Sequence, residues 1–318
     1  MTRCLALLML AAAIGLTTGA REQGNPDDRA AAPLDFAPVV LHVACGELFK
    51  APCGKVLPRI AARTAQAGLD LKPVQSGGAL DTAATVCQGQ AAAAIVPRDA
   101  IAQLAHQPAC LGRYDAVGRP LYPYYAFLVV RAGAPFRSLN DLASGRTIAA
   151  GPEGSGGQIT LGFLLRSNAA WQQAITVTND DAATALNRIA DGSLDGLFAM
   201  ATLDSELIDR VRLREDARGK PMYTFIDIRP GADFWRAGDG AGHCLYRLTA
   251  LDFGGPAPVT TVSGDAVLML GRGFRDTHAR SGPLAADALA SAIDASQAGI
   301  LGDLKSPGDW RPAGTSCM

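Results

Sequence analysis

The residues Gly151-Pro152-Glu153-Gly154-Ser155-Gly156-Gly157 stand between a short apolar run, Thr147–Ala150, and a helix-like run beginning at Gln158. A strand that ends in glycines and opens a helix offers backbone N–H groups, a serine hydroxyl and the positive end of a helix to whatever lies above it, a design for holding an anion. Gly157-Gln158 stands where a nucleotide-phosphate loop needs Lys followed by Ser or Thr, which argues against ATP or GTP hydrolysis. The same residues would also serve as a plain tight turn between a strand and a helix. A second turn of similar chemistry, Ser76-Gly77-Gly78, precedes a helix expected from Ala79, with Ser76 as its N-cap. Ser76 either only caps that helix or joins Gly77 and Gly78 in facing the ligand held by Gly154, Ser155, Gly156 and Gly157.

Further candidates lie at other element ends. Arg98 could neutralise an acid through a two-pronged contact, or pair with Asp99 and face water. Asp195 begins a strand, where it could meet an ammonium group or simply face solvent. Tyr124, Tyr125 and Trp235 could wall a cleft; Tyr124 reads better as core, and Trp235, in a glycine-rich loop, as a lid. Glu47 and Phe49 follow the first strand. His243 beside Cys244 reads as structural.

The elements that must position these residues follow a repeated plan. Val39–Ala44, Leu69–Val74 and Ala91–Val96 read as strands, separated by helices at Pro58–Ala67 and Ala79–Gln88. The βαβαβ order returns with strands at Thr147–Ala150, Ala174–Val177 and Leu194–Ala199 and helices at Gln158–Ser167 and Ala182–Ala190. Tyr122–Arg131 is a long β-rich run that would cross from one lobe to the other, and Val259–Leu270 would cross back. Leu284–Ala298 then reads as a helix returning to the first lobe. The fold class expected is α/β, with two α/β lobes joined by two crossover strands that act as a hinge. Residues 39–128 with 262–318 make lobe 1, and residues 129–261 make lobe 2.

Composition restricts the function. A formal net charge of -1, with no clustered Lys/Arg stripe, leaves no footprint for nucleic acid. Arg3, the apolar run Cys4–Leu16 and the small residues up to Ala20 have the order of a secretory signal, residues 1–20, followed by a polar leader at 21–38. The chain is therefore expected to be exported. Beyond the signal, Cys45, Cys53, Cys87, Cys110, Cys244 and Cys317 form an even set, which in an exported protein argues for disulfides. The pairing expected is Cys45–Cys53, Cys87–Cys110 and Cys244–Cys317: the first two close local loops and the third ties the tail to the body. No metal-ligand spacing and no cofactor motif is present. The absence of a Gly-x-Ser-x-Gly elbow or a His-Glu-x-x-His pair disfavours a hydrolase, although a triad assembled in space has no fixed spacing.

The ordered set Ser76-Gly77-Gly78-Ala79-Leu80-Asp81, Gly89, Ala94-Ile95-Val96-Pro97-Arg98-Asp99, Ser138-Leu139-Asn140-Asp141-Leu142, Gly145-Arg146, Gly151–Gly157, Ala185-Leu186, Asp191-Gly192 and Leu194-Asp195-Gly196-Leu197-Phe198 resembles the TAXI-type solute-binding proteins, the receptors of TRAP transporters. The resemblance implies a type II periplasmic-binding fold that closes on a small organic acid, a dicarboxylate or a glutamate-like amino acid. It also implies that a monomeric receptor delivers this solute to membrane transporter or sensor subunits. Ligands of open α/β sheets sit beyond the carboxyl ends of strands, where Gly46-Glu47, Ser76–Gly78 and Gly151–Gly157 fall. The chain departs from the family in the Cys45–Cys53 turn with Glu47, Phe49 and Lys50, in Arg98, and in Arg229–Trp235. Phosphate, another oxoanion or an apolar lipid-like ligand therefore remain alternatives.

Overall fold

A computed structural model of the chain describes residues 39–45, 52–236, 243–255, 257–278 and 281–307. It opens with β1 (Val39–Ala44), α1 (Cys53–Thr64), β2 (Leu69–Val74), α2 (Ala79–Cys87), β3 (Ala93–Pro97) and α3 (Arg98–Leu104). β1 pairs in parallel with both β2 and β3, as strands linked by crossover helices must. α1 spans Cys53–Thr64 in place of the expected Pro58–Ala67, with Pro58 inside it. Its buried face of Val56, Leu57 and Ile60, together with the Cys45–Cys53 disulfide at its first residue, outweighs the one backbone bond that Pro58 cannot make.

The second series runs β4 (Tyr114–Arg131), α4 (Leu139–Leu142), β5 (Thr147–Ala149), α5 (Gly156–Arg166), α6 (Ala169–Ala174), β6 (Thr176–Thr178), α7 (Ala182–Asp191), β7 (Gly196–Ala201) and α8 (Glu206–Leu213). β8 (Tyr223–Ile226), β9 (Tyr246–Leu251), β10 (Val259–Gly271), α9 (Arg272–Thr277) and α10 (Ser281–Asp303) complete it. α3, α4, α6, α8, α9, β8 and β9 have no counterpart in the sequence reading; they are short or lack a clear apolar period.

One sheet runs through the whole molecule in the order β2-β1-β3-β10-β4-β7-β5-β6, with β8 on β4 and β9 on β10. β4, of 18 residues, lies against β10 over its first part and against β7 and β8 over its last. β10 does the reverse: it pairs with β9 at its start and with β3 and β4 towards its end. These antiparallel strands are the two crossovers, and each belongs to both lobes. Core side chains segregate on either side. Leu41, Ile60, Leu121, Leu268 and Ile293 lie in one set of clusters, and Leu128, Ile148, Phe198, Ile226 and Val262 in the other.

The Cys45–Cys53 and Cys87–Cys110 disulfides are formed. Cys244 is disulfide-bonded as well, and Cys317, its expected partner, lies outside the described residues. Among the described residues no helix is long and apolar enough to cross a membrane. Closing loops of these lengths restricts the unfolded chain, an effect of about 3 kcal/mol. Replacing Cys87 and Cys110 together with Ala should therefore lower the unfolding free energy in urea by about 3 kcal/mol with the native far-ultraviolet spectrum retained. An unchanged midpoint would mean that the bond adds nothing to stability.

Candidate functional site

The two glycine turns face one another and touch. The N–H of Leu80, in the first turn of α2, donates to the carbonyl of Gly154 at 3.1 Å. A Cβ on Gly78 would stand 2.8 Å from that same carbonyl oxygen, so only glycine allows the approach. Gly78, and not Ser76, is the N-cap of α2, and it has no side chain with which to cap. The carbonyl from the other lobe supplies part of the missing cap. The Asp81 carboxylate accepts the N–H of Gly77, one residue before the cap, at 2.6 Å. The Ser76 hydroxyl bonds with that of Thr82 at 2.8 Å.

Across the gap, Ser155 is the N-cap of α5. Its hydroxyl accepts the N–H of Gln158 at 3.4 Å and donates to Ala150 O at 2.9 Å. Gly157 has a packing reason: a Cβ there would lie 2.5 Å from Ala150 O and 3.0 Å from Phe198 O. Gly156 faces Met200. The donors expected to meet an anion are thus used, in large part, by the chain itself.

Deeper in the junction, Asp99 is fully buried at the start of α3. Its Oδ1 accepts from the Tyr124 hydroxyl of β4 at 3.0 Å, and its Oδ2 from Thr160 of α5 and Tyr246 of β9, both at 2.7 Å. Thr160 and Tyr246 belong to the second lobe, so a first-lobe carboxyl group holds two second-lobe hydroxyls. Burial raises the Asp99 pKa, opposed by its hydrogen bonds to Thr160, Tyr246 and Tyr124. Burial, and then the Asp99 carboxylate, push both tyrosines well above the usual phenol range. Phe234 stacks on Tyr246 with ring centroids 4.7 Å apart and holds it in place. Nearer the rim, Lys55 of α1 forms an ion pair with Asp204, which follows β7.

The remaining expected residues are placed as follows. Arg98 is buried, 8% exposed, which removes its solvent-facing alternative. Tyr124 lies in the first lobe's core with its hydroxyl on Asp99, and Tyr125 lies in the second lobe's core near Phe127. Trp235 packs edge-on against Phe234 and is part of that core's margin, not a free lid. Asp195 precedes β7, at the opposite end of the parallel strands from the glycine turns. There it accepts the Thr147 N–H at 2.9 Å and meets Arg146. Glu47 and Phe49 lie outside the described residues. The sequence reading missed Thr160, Tyr246, Lys55 and Asp204; none stands in a motif, and each is joined to its partner by tertiary structure alone.

No group of three or more metal-ligating side chains occurs among the described residues. No protein-family model and no curated relative matches the chain. Solved structures do share its fold. A putative L-cystine ABC transporter protein from Listeria monocytogenes aligns with a TM-score of 0.50 and 11% identity, over 84% of this chain and 95% of that one. The alkanesulfonate-binding protein SsuA from Xanthomonas axonopodis pv. citri, bound to MOPS, aligns with a TM-score of 0.50 and 14% identity, over 85% and 79%. A putative periplasmic sulfonate-binding SsuA from Methylobacillus flagellatus KT gives 0.50 and 14%, over 87% and 76%. The chain has the two-lobed fold of periplasmic solute-binding proteins.

Two outcomes test this geometry. A side chain at position 78 has no room beside Gly154, so Gly78→Val should part the turns, raise the radius of gyration in solution scattering and speed hydrogen exchange at the Leu80 amide. Unchanged scattering and exchange would show that the turns do not meet in solution. Because the Asp99 pKa is raised in the folded state, the stability its proton contributes is complete below the unfolded carboxylate pKa of about 4 and is lost as pH rises through the folded value. The stability of Asp99→Asn relative to the native chain should therefore rise with pH above about 4, where the unfolded carboxyl group ionises and the folded one resists ionisation. A pH-independent difference in urea unfolding would contradict the buried assignment.

Proposed function

We propose that the chain is an exported solute-binding receptor of the TAXI type, whose lobes close on a small organic solute and present it to the membrane subunits of a transporter or sensor. The observation that carries the reading is the pair of glycine turns meeting across the gap between two lobes joined by β4 and β10. Such a hinge can open by bending β4 and β10, and opening frees the N–H groups of α2 and the turn before α5. The working division is residues 39–128 with 262–318 against 129–261, supported by the way the core clusters separate.

The solute class follows from what an open site would offer. Helix N-termini and glycine turns favour a carboxylate or another oxoanion, each such end contributing about 0.3–2 kcal/mol. The cystine and alkanesulfonate of the structural neighbours fit the same chemistry, since each carries an anionic group. The best candidates are a dicarboxylate or a glutamate-like amino acid. Its anion must displace the Gly154 carbonyl from Leu80, a bond of about 1 kcal/mol, so the exchange is inexpensive. Periplasmic placement rests on the residues 1–20 signal pattern, together with the disulfides.

Ligand that binds the folded lobes and not the unfolded chain raises the unfolding temperature by mass action. A thermal-shift screen of the purified chain against organic acids, amino acids, oxoanions and lipids should give a concentration-dependent rise for one class, with acids or amino acids expected. No rise in any class, with protein refolded from denaturant to remove carried-over solute, would reject the receptor reading. Turnover of the bound compound would replace it with an enzyme.

A further inference from the structure

Three oxygen atoms just beyond the carboxyl end of β7 have no hydrogen-bond partner: Thr202 Oγ1, Asp204 Oδ1 and Ser205 Oγ. Thr202 is 3% exposed and the Asp204 side chain 4% exposed, so water reaches neither freely. Leaving one such atom unpaired costs about 1–3 kcal/mol, and more where it is charged. Three together within four residues therefore call for a partner. Ser205 is the N-cap of α8, yet its hydroxyl makes no cap bond, so it is not spent on the helix.

These atoms lie where the lobes meet. The other oxygen of Asp204 is held by Lys55 Nζ from the first lobe. Tyr122, on β4, has its phenol pushed up by burial and then by the Asp204 charge. Met200, two residues before Thr202, packs against the cores of both lobes.

The chemistry of the three oxygens selects a partner. An ionised carboxylate oxygen only accepts, and both hydroxyls can accept. A carboxylate or phosphate would bring more acceptors and a like charge beside Asp204. A primary ammonium group brings three N–H donors and a positive charge, one donor for each oxygen. Glu206 and Asp209 stand in the first turn of α8, offsetting the positive helix end that would otherwise repel a cation.

We infer that Thr202, Asp204 and Ser205 form a subsite for a primary ammonium group, so that the solute is an amino acid or another amine-bearing acid and not a simple dicarboxylate. The inference rests on the receptor reading and names the solute class for that cleft. Lys55, whose side chain is 48% exposed, holds the remaining Asp204 oxygen at the rim.

The probe is ethylammonium chloride, titrated into the full chain carrying carbon-13 methionine methyl groups, with the Met200 methyl signal followed by NMR. A saturable shift is expected with ethylammonium and not with tetramethylammonium, which has no N–H, nor with sodium acetate. Asp204→Asn should weaken it by about tenfold or more, and Thr202→Val, close in shape, should weaken it measurably. Lys55→Ala keeps all three oxygens and should retain binding, which separates the subsite from the ion pair. A saturable response to acetate or tetramethylammonium of the same size, no saturable response to ethylammonium, or one unaltered by Asp204→Asn and Thr202→Val, would overturn the subsite. So would loss of binding in Lys55→Ala as large as in Asp204→Asn. The two readings fail separately. A solute that raises the unfolding temperature of the native chain and Thr202→Val equally keeps the receptor and removes the subsite, whereas ethylammonium binding with no solute response in the screen keeps the subsite and removes the receptor.

Discussion

A single carboxyl group, that of Asp99, fixes how the two lobes meet. It is fully buried and accepts three hydroxyl hydrogen bonds, two of them from the opposite lobe. Magnitudes place it above the other inter-lobe contacts. Three hydrogen bonds of about 1 kcal/mol each converge on this one group, whereas Leu80–Gly154 is a single bond of that size. The Lys55–Asp204 pair joins a half-exposed lysine to a buried carboxylate, whose desolvation offsets much of the attraction. The surrounding packing serves the same group. α3 sends Ile101 and Leu104 into the first lobe's core and Ala102 into the second's, so the helix that starts with Arg98 and Asp99 is seated in both.

This arrangement makes the closed state largely self-sufficient. A receptor that closes only around solute leaves its anion-binding groups waiting; here Gly154, Asp81 and the Ser155 hydroxyl occupy them. Solute then competes with weak internal bonds at the rim, while Asp99 near the crossover strands holds the angle between the lobes. The affinity for solute is reduced by whatever those rim bonds contribute, about 1–2 kcal/mol in all, which is small beside the energy of a typical solute complex.

Local chemistry made the scaffold legible in the sequence. Glycine turns, capping residues and small-residue strands announce themselves within a few positions, and the βαβ order, both crossover strands and two disulfides could be read from them. Partners far apart in the chain could not. Asp99 and Tyr246 are 147 positions apart, and Asp99 and Thr160 are 61 apart. Alternation along β4 puts Tyr124 and Tyr125 on opposite faces, but it does not say which face meets the cleft. Both are buried, and the hydroxyl of Tyr124 meets a partner that no local pattern names. Asp195 begins its strand as read, but its partners Thr147 and Arg146, 48 and 49 positions away, could not be named from the sequence. Trp235 read as a lid because glycines flank it, whereas its neighbour Phe234 draws it onto the core.

The claim that the chain's own groups hold the lobes together is tested most directly by the distance between the lobes without solute. Spin labels at Gln88 and Glu153, both exposed and on opposite sides of the meeting turns, report that distance by pulsed electron resonance in protein refolded from denaturant. The account predicts one narrow distribution at the separation of the closed structure before any solute is added. A broad distribution centred at longer distance, narrowing only when solute is supplied, would contradict it.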